Sequence, residues 1–334
     1  MSMEELKGKP ENKSQITPFN SYSGYLKRKY RTRAYRVSVD AGFSCPHRGS
    51  DRRNPGCTFC DEYGSRAVYQ EEVHKTGDRF VSLKNQIERG IGFLKKRYGA
   101  EVFLLYFQAF SNTFAPIEEL KQIYDYCLNQ YSFAELIVST RPDCISAEVA
   151  DLLASYMKRG IDVWTELGLQ SSRDETLLRI NRAHTVRQFK EAFQLLRQRG
   201  IKITVHVIFG LPGENKREIM GTINYLAGLE PEGIKIHNIH IPRNTMLYEE
   251  YMAGELTVPS SARHLEYVVD ALELLPPKTV IIRLTCDTPS ERLGIPAVFW
   301  NKSLFYKKVR ETMLKRNKWQ GRLAKFKQEE KDDR

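Results

Sequence analysis

The chain has 334 residues, which is long enough to bury a large core without disulfides or structural metal ions. Its 41% hydrophobic and 28% charged residues exclude a disordered or fibrous protein, and its longest apolar runs, such as Val102–Phe107, are too short for a transmembrane helix of about 20 residues. The net charge of +11 is concentrated at the ends, because residues 1–36 hold nine Lys and Arg against three Glu, and residues 302–334 hold twelve against five acidic residues.

The apolar pattern predicts strands and helices that alternate along the chain. Short β-branched or aromatic runs predict strands at residues 35–39, 102–108, 136–139, 162–167, 202–209 and 233–239. Amphipathic stretches predict helices at residues 78–98, 116–130, 146–158, 185–199 and 214–226. After Pro259 the pattern predicts another helix at 260–275, a short strand at 279–284 and a basic tail.

Six successive strand–helix units favour a parallel sheet that curls towards a barrel, although a full barrel has eight. The sequence therefore predicts an α/β protein with a partial (β/α)6 TIM-like barrel, a C-terminal extension and basic terminal segments. The expected divisions are a basic N-terminal segment (1–33), the barrel (34–258), the extension (259–300) and a basic helical tail (301–334). The first residues lack the apolar stretch of a secretory signal, so we expect a cytoplasmic protein.

Three cysteines lie close together after the first predicted strand. Cys45, Cys57 and Cys60 stand in the segment GFSCPHRGSDRRNPGCTFC, and the other three cysteines are dispersed. A structural zinc ion normally has four protein ligands and would have to recruit His47. A [4Fe–4S] cluster held by three thiolates leaves one iron open to an exogenous ligand. Zinc, a redox dithiol and incidental thiols remain alternatives to the cluster on these residues alone.

The cysteine segment and six later motifs resemble the radical S-adenosylmethionine (SAM) superfamily. In chain order the motifs are YFQAFSNTFAP, STRPDCIS, WTELGLQSS, NRAHT, HVIFGLPGE and KIHNIHIPRNTML. The long first cysteine spacing is similar to that of the subfamily related to the Elongator catalytic subunit and to oxygen-independent coproporphyrinogen oxidases. The resemblance implies that Cys45, Cys57 and Cys60 bind a [4Fe–4S] cluster and that SAM binds its open iron.

The resemblance also implies which residues contact SAM. Phe59 is expected beside the adenine, and Gln108 and Asn112 near the amino group. Ser139 and Arg141 are also expected among the SAM contacts, with Arg141 at the carboxylate, which a guanidinium can hold through two hydrogen bonds. The alternative is an ordinary Arg–Pro loop boundary.

Further candidates lie on later strands and turns. Glu166 stands in an apolar strand, so its carboxylate must be paired or used. The resemblance implies that it binds ribose hydroxyls, and the alternative is an ion pair with Arg182. Gln170 and Arg182 share these alternatives. Gly210, Pro212 and Gly213 lie in the turn that follows the strand predicted at 202–209, and they are included as cofactor contacts. The backbone amides of this turn either approach the adenine or ribose of SAM, or the turn only starts the next helix.

Polar residues near the last strands complete the prediction. His237 is included among the cofactor contacts, although a histidine beside a strand is also a common core residue. His240, Arg283 and Asp287 are candidates for the substrate side because each follows an apolar run. Cys286 receives no role.

The basic ends indicate a polyanionic partner. Their interleaved aromatic residues suit contacts with RNA bases and phosphates, although solubilising termini explain the charge equally well. With the Elongator kinship, the resemblance implies an enzyme that processes the carbon-5 side chain of wobble uridine 34 in tRNA, from carboxymethylaminomethyl to aminomethyl. The implied partners are tRNA, a flavodoxin- or ferredoxin-type electron donor and a tRNA methyltransferase acting on the product, with no membrane. The alternatives are a radical SAM enzyme with a small-molecule or porphyrin-like substrate, and a zinc-containing RNA-binding protein without catalysis.

Overall fold

The computed structural model describes residues 17–49, 54, 56–60, 78–286 and 294–324. Its central element is a curled half-barrel sheet of seven parallel strands. In spatial order the strands are β1 (Ala34–Val39), β2 (Val102–Phe107), β3 (Glu135–Thr140), β4 (Asp162–Gln170), β5 (Lys202–Phe209), β6 (Gly233–Asn238) and β8 (Val280–Arg283). A separate antiparallel pair is formed by β7 (Ile241–Pro242) and β9 (Gly294–Ile295).

Helices connect the strands, and local signals fix several of their ends. Thr185 and Asn215 each form a capping box at a helix start, and Gly99 ends a long helix in the left-handed conformation. The helices are α1 (Tyr22–Tyr30), α2 (Arg79–Tyr98), α3 (Ile117–Leu128), α4 (Ala147–Ser155), α5 (Asp174–Arg179), α6 (Val186–Gln198), α7 (Lys216–Leu229), α8 (Met246–Met252), α9 (Ser261–Leu274) and α10 (Lys302–Lys315). Short 3-10 turns cover Pro142–Cys144 and Tyr156–Arg159.

Alternation along the strands divides the core into two layers. On β2, Phe103, Leu105 and Phe107 belong to the large core that also contains the buried faces of the helices. Leu104 and Tyr106 point to the other face and pack in a smaller cluster with α1. Since successive strand residues face opposite sides of a sheet, this pattern places one layer outside the half-barrel and one inside it.

The predicted fold class is confirmed, and all six predicted strands are present with ends within three residues of the prediction. The strand predicted at 279–284 is β8, which pairs with β6 and adds a seventh strand, so the count of six strands was one too low. The prediction lacks α1, α5 and α8, which are nine residues long or shorter. Within the described ranges, no helix combines the length and apolar character needed to span a bilayer.

The described parts of the two basic ends are packed on the barrel and on each other. The Asn20 amide donates to Gln320 Oε1 over 2.8 Å, and the Gln320 amide donates to the Pro18 carbonyl over 2.9 Å. In α1, the Tyr25 ring meets Trp164 edge-on, and Lys29 forms ion pairs at the amino ends of β3 and β4. Tyr25 and Lys29 therefore have partners inside the protein, while Lys27 and Arg28 of the same helix are exposed. The contact of this segment with RNA stays a prediction.

The packing of α10 can be tested with two neighbouring residues. Phe305 is fully buried against His264 and Phe299, so Phe305→Ala should lower the free energy of unfolding by about 3–5 kcal/mol. Leu304 is 37% exposed, and Leu304→Ala should cost less than about 1 kcal/mol. Urea denaturation measures both values. Equally small losses would contradict the packing of α10 on the barrel.

Candidate active site

A cavity of about 380 Å³ lies at the carboxyl ends of the parallel strands. Its volume is within the range of small-molecule sites, about 300–1,000 Å³, and this end of a βα barrel is where active sites form. The predicted residues that line it are Cys45, Cys57, Phe59, Cys60, Gln108, Ser139, Arg141, Glu166, Gln170, Arg182, His237, His240 and Arg283.

The three cysteines border the cavity from one loop that follows β1. Cys45 forms a short backbone bridge with Gly49, and its Sγ lies 3.6 Å from the Ser111 hydroxyl in the loop after β2. Cys57 and Cys60 lie in a tight turn, in which the Cys60 amide donates to the Cys57 carbonyl over 3.0 Å. Both turns present a thiol towards the same space.

The turn that carries Cys57 and Cys60 is anchored from two sides. The Thr58 amide donates to the Ile180 carbonyl over 3.1 Å, and the Leu247 amide of α8 donates to the Thr58 carbonyl over 3.4 Å. These bonds join the cysteine loop to α5 and α8, which lie far along the chain. The sequence spacing alone could not indicate them.

Cationic side chains surround the Cys57 thiol. Arg182 Nη1 lies 3.5 Å and Arg141 Nη1 3.9 Å from its Sγ. Burial acts to raise the pKa of Cys57, but the charge of Arg182, a hydrogen bond with His47 and the charge of Arg141 outweigh it and lower that pKa to about 6. The thiolate, which is the form that binds metal, is therefore favoured at neutral pH.

Gly168 makes room for the Arg182 side chain. Arg182 Nη2 donates to the Gly168 carbonyl over 3.0 Å, and a Cβ at position 168 would lie only 2.6 Å from that nitrogen. Arg182 Nε donates to His184 Nε2 over 3.1 Å. Burial, followed by the charge of Arg182, lowers the pKa of His184 to about 3, so the imidazole stays neutral and can accept this bond. Sequence reasoning missed His184, although it lies in the NRAHT motif.

Several described lining side chains have a buried polar atom without a hydrogen-bond partner. Such atoms include His47 Nδ1, Gln170 Oε1 and His206 Nε2. Gln170 also has a φ of 73° at a bulge between β4 and β5, a conformation that non-glycine residues rarely adopt. Because buried polar atoms are normally paired, these groups fit a polar ligand such as SAM, beside thiols that fit an iron–sulfur cluster.

The guanidinium of Arg141 is already paired. Its Nε and Nη2 donate to the two carboxylate oxygens of Asp143 over 2.9 Å, and Nη2 also donates to the Arg182 carbonyl over 2.7 Å. Only Nη1 faces Cys57. Arg141 therefore does not present the free two-pronged face that the sequence analysis assigned to a carboxylate of SAM, because Asp143 occupies it.

Asn112 is fully buried outside the cavity lining. Its Nδ2 donates to the carbonyls of Ala109 and Ser139 over 3.0 and 2.9 Å and so joins the loop after β2 to the end of β3. A contact between this side chain and SAM, as the sequence suggested, does not match its position.

The turn after β5 also lies outside the cavity. Gly210, Pro212 and Gly213 line a separate pocket of about 510 Å³ together with the segment that precedes α9. A Cβ at Gly210 would lie 2.7 Å from the Pro259 ring, so the glycine is required by packing. The structure therefore does not bring these three predicted cofactor contacts to the other candidates.

Glu166 is buried at the base of the cavity and pairs with other cations than Arg182. Arg36 Nη1 donates to its Oε1 over 2.6 Å, while Lys235 Nζ and the Tyr106 hydroxyl donate to its Oε2 over 2.9 and 2.6 Å. Burial acts to raise the pKa of Glu166, but the charges of Lys235 and Arg36 hold that pKa well below its ordinary value. The alternative ion pair with Arg182 is not formed.

The substrate-side candidates lie along β6 and β8. Arg283 Nη1 is 3.4 Å from His237 Nε2, and His240 packs against Gly294 of β9. Asp287 lies outside the described residues. Sequence reasoning missed Lys235, although a charged residue in the apolar strand GIKIHN is the same signal that identified Glu166.

Among the described residues, no group of three or more His, Cys, Asp or Glu side chains is spaced to hold a single metal ion.

Comparison with protein families identifies the chain. The sequence model of the Radical SAM superfamily matches residues 45–226, and that of the Radical SAM C-terminal domain matches residues 231–315. The chain belongs to the radical SAM superfamily. Radical SAM enzymes use a [4Fe–4S] cluster and SAM, so the predicted superfamily, enzyme class and cofactors are confirmed.

Individual relatives agree with this assignment. Protein MJ0486 of Methanocaldococcus jannaschii is 36% identical over 304 residues, which cover 91% of each chain. Elongator complex protein 3 of Drosophila melanogaster is 32% identical over 158 residues, which cover 46% of this chain and 28% of that protein. The structure of the archaeal Elp3 of Methanocaldococcus infernus has a TM-score of 0.65 at 19% identity, covering 86% of this chain and 64% of that chain. The last match shows a shared fold.

The network around Glu166 leads to a stability prediction. Glu166→Gln leaves Arg36 and Lys235 buried without their counter-charge and should lower the free energy of unfolding by about 3–5 kcal/mol. The exposed pair between Arg187 and Glu191 provides a control, because Glu191→Gln should cost less than about 0.5 kcal/mol. Chemical denaturation at pH 7 measures both. A similar small loss in the two variants would contradict the role of Glu166.

Proposed function

We propose that this radical SAM enzyme acts on tRNA and converts the carboxymethylaminomethyl side chain of wobble uridine 34 to aminomethyl. One observation carries the proposal: Cys45, Cys57 and Cys60 meet at a strand-end cavity in a chain whose sequence is related to Elongator complex protein 3. The cavity supports chemistry on one group of a larger substrate, because buried residues such as Glu166 and Lys235 line its base while its mouth lies at the carboxyl ends of the strands.

We assign the three cysteines as ligands of the cluster, and Phe59 and Gln170 as contacts of SAM. When bound, the cluster and SAM would supply a 5′-deoxyadenosyl radical, with an electron from a flavodoxin- or ferredoxin-type donor. The radical would take one hydrogen atom from the methylene of the carboxymethyl group, and the oxidised cluster would accept the second electron. Water would then hydrolyse the resulting C=N bond, so that the two carbons leave as glyoxylate and the amine remains on the uridine. The protein's own part is to hold Cys57 as a thiolate and to keep water from the base of the cavity. The second task falls to α1 and to the buried network of Glu166.

The exposed basic face of α10 supports a nucleic-acid partner. The Tyr306 hydroxyl of α10 accepts a hydrogen bond of 3.0 Å from the Leu284 amide, so the helix starts beside the end of β8 at the cavity. Lys307, Arg310 and Lys315 are exposed on this helix. Phosphates of a tRNA bound across the cavity mouth would be within the reach of such side chains. The aminomethyl product would then serve a methyltransferase in the cytoplasm.

Analysis of tRNA nucleosides tests the reaction directly. In a strain that lacks this gene, mass spectrometry should show accumulation of 5-carboxymethylaminomethyluridine and loss of 5-aminomethyluridine and its methylated form. The wild-type gene and a Cys127→Ala variant, altered at a thiol buried in α3, should restore the pattern. A Cys60→Ala variant should not. An unchanged nucleoside profile in the deletion strain would refute the tRNA reaction and favour a small-molecule substrate.

The contribution of α10 can be measured by its salt dependence. Replacing Lys307, Arg310 and Lys315 together by Gln should weaken tRNA binding and reduce the slope of log affinity against log salt by about three, because each lost phosphate contact removes about one. Substitution is preferable to truncation, since α10 belongs to the core.

The control replaces three other exposed cations by Gln: Lys158 in the 3-10 turn after α4, and Arg187 and Lys190 on α6. It should leave the slope unchanged. An equal reduction in both triple variants would show that α10 contributes only general charge.

A further inference from the structure

The half of the cavity formed by β5, β6 and β8 carries positive charge that the described residues do not neutralise. Lys235 on β6 and Arg283 on β8 are register partners on neighbouring strands, and both line the cavity. Glu166 is the one carboxylate among the described lining residues. Like charges at paired positions of a sheet repel each other, and burial makes this repulsion stronger.

The carboxylate of Glu166 cannot balance Arg283. Its two oxygens already accept bonds from Arg36, Lys235 and Tyr106. Within the described residues, Arg283 forms no ion pair. Burial lowers the pKa of Lys235, Glu166 opposes this effect, and the charges of Arg283 and Arg36 lower that pKa further, to about 8. The excess of cations is thus a property of the buried strands.

The Arg283 guanidinium contacts a neutral imidazole, which does not neutralise its charge. Its Nη1 lies 3.4 Å from His237 Nε2, and the His237 ring meets His206 with ring centres 4.1 Å apart. Burial, followed by neighbouring positive charges, keeps the pKa of His206 and of His237 well below the ordinary value. Within the described residues, the other donors of the Arg283 guanidinium have no hydrogen-bond partner and face the cavity.

The backbone around this cluster is fixed. A register shift between Ile234 and Lys235 sets the side chains of β6 against β8. The Leu284 amide, directly after Arg283, donates to the Tyr306 hydroxyl over 3.0 Å, and the Cys286 amide donates to Asn238 Oδ1 over 3.0 Å. Side chains carried on such strands are positioned before a ligand binds, which favours specific recognition.

We propose that Arg283, Lys235 and His237 form an anion subsite that binds the carboxylate of the substrate side chain. This inference rests on the proposed function, in which the substrate ends in a carboxymethyl group and the product ends in an amine. A guanidinium and an ammonium would attract the carboxylate of the substrate. The same two cations would repel the ammonium of the product. The subsite therefore distinguishes substrate from product and favours release after the reaction.

Binding of free nucleosides tests the subsite without any phosphate. Calorimetry on the protein loaded with cluster and SAM should show that the wild type binds 5-carboxymethylaminomethyluridine at least about tenfold more tightly than 5-aminomethyluridine. Arg283→Gln should abolish this preference. Arg283→Lys, which keeps the charge but not the planar fork, should retain part of it. Arg263→Gln, an exposed position on α9, is the matched control and should keep the full preference.

Two further measurements show whether the subsite binds the carboxylate of SAM or of the substrate, and whether it exists independently of the proposed uridine substrate. If Arg283→Gln weakens SAM binding while keeping the nucleoside preference, the subsite holds the carboxylate of SAM and our proposal is overturned. Thermal unfolding with iminodiacetate, a secondary amine bearing two carboxymethyl groups, covers the case in which neither nucleoside binds. Stabilisation of the wild type but not of Arg283→Gln would then keep the subsite and reject the uridine substrate. Equal responses of both proteins would reject the subsite, whatever the substrate is.

Discussion

One buried carboxylate connects strands from both halves of the curled sheet. Glu166 on β4 is bonded to Arg36 on β1, to Tyr106 on β2 and to Lys235 on β6. In the sheet, β1 and β6 are separated by four strands, so these bonds cross the interior of the half-barrel instead of following neighbouring strands. A charge is retained in such a place only when it is paired and hydrogen-bonded. The network therefore joins the two halves of the curled sheet directly below the cavity.

The cavity above Glu166 has two electrically different sides. On the side of β3 and β4, Arg141 is paired with the Asp143 carboxylate, and Arg182 faces the Cys57 thiolate. On the side of β6 and β8, Lys235 and Arg283 face no described carboxylate that is not already shared. A single fold thus prepares one side for a thiolate-bound centre and the other for an anionic group, at the end of the barrel where loops and strand ends converge.

The sequence allowed prediction of features that depend on neighbouring residues. Strand ends followed from apolar periodicity, and the spacing of Cys45, Cys57 and Cys60 indicated one metal centre. Pairing between distant residues could not be predicted. Arg36 stands in a basic segment that suggested RNA, but β1 turns its side chain inwards to a carboxylate 130 positions away. The sequence placed Gly210 in a turn expected to bind SAM, but the structure shows that the Pro259 ring packs where a side chain at this position would lie. Partners of this kind are decided by topology.

Anaerobic reconstitution with iron and sulfide tests the central claim, that three thiols at the strand-end cavity hold a [4Fe–4S] cluster. The wild type and Cys127→Ala should each bind about four iron and four sulfide per chain, and should release 5′-deoxyadenosine from SAM when reduced. Single Ala variants of Cys45, Cys57 and Cys60 should lose the intact cluster and this release. A full cluster in any of these three variants, or stoichiometric zinc without iron in the wild type, would contradict the account.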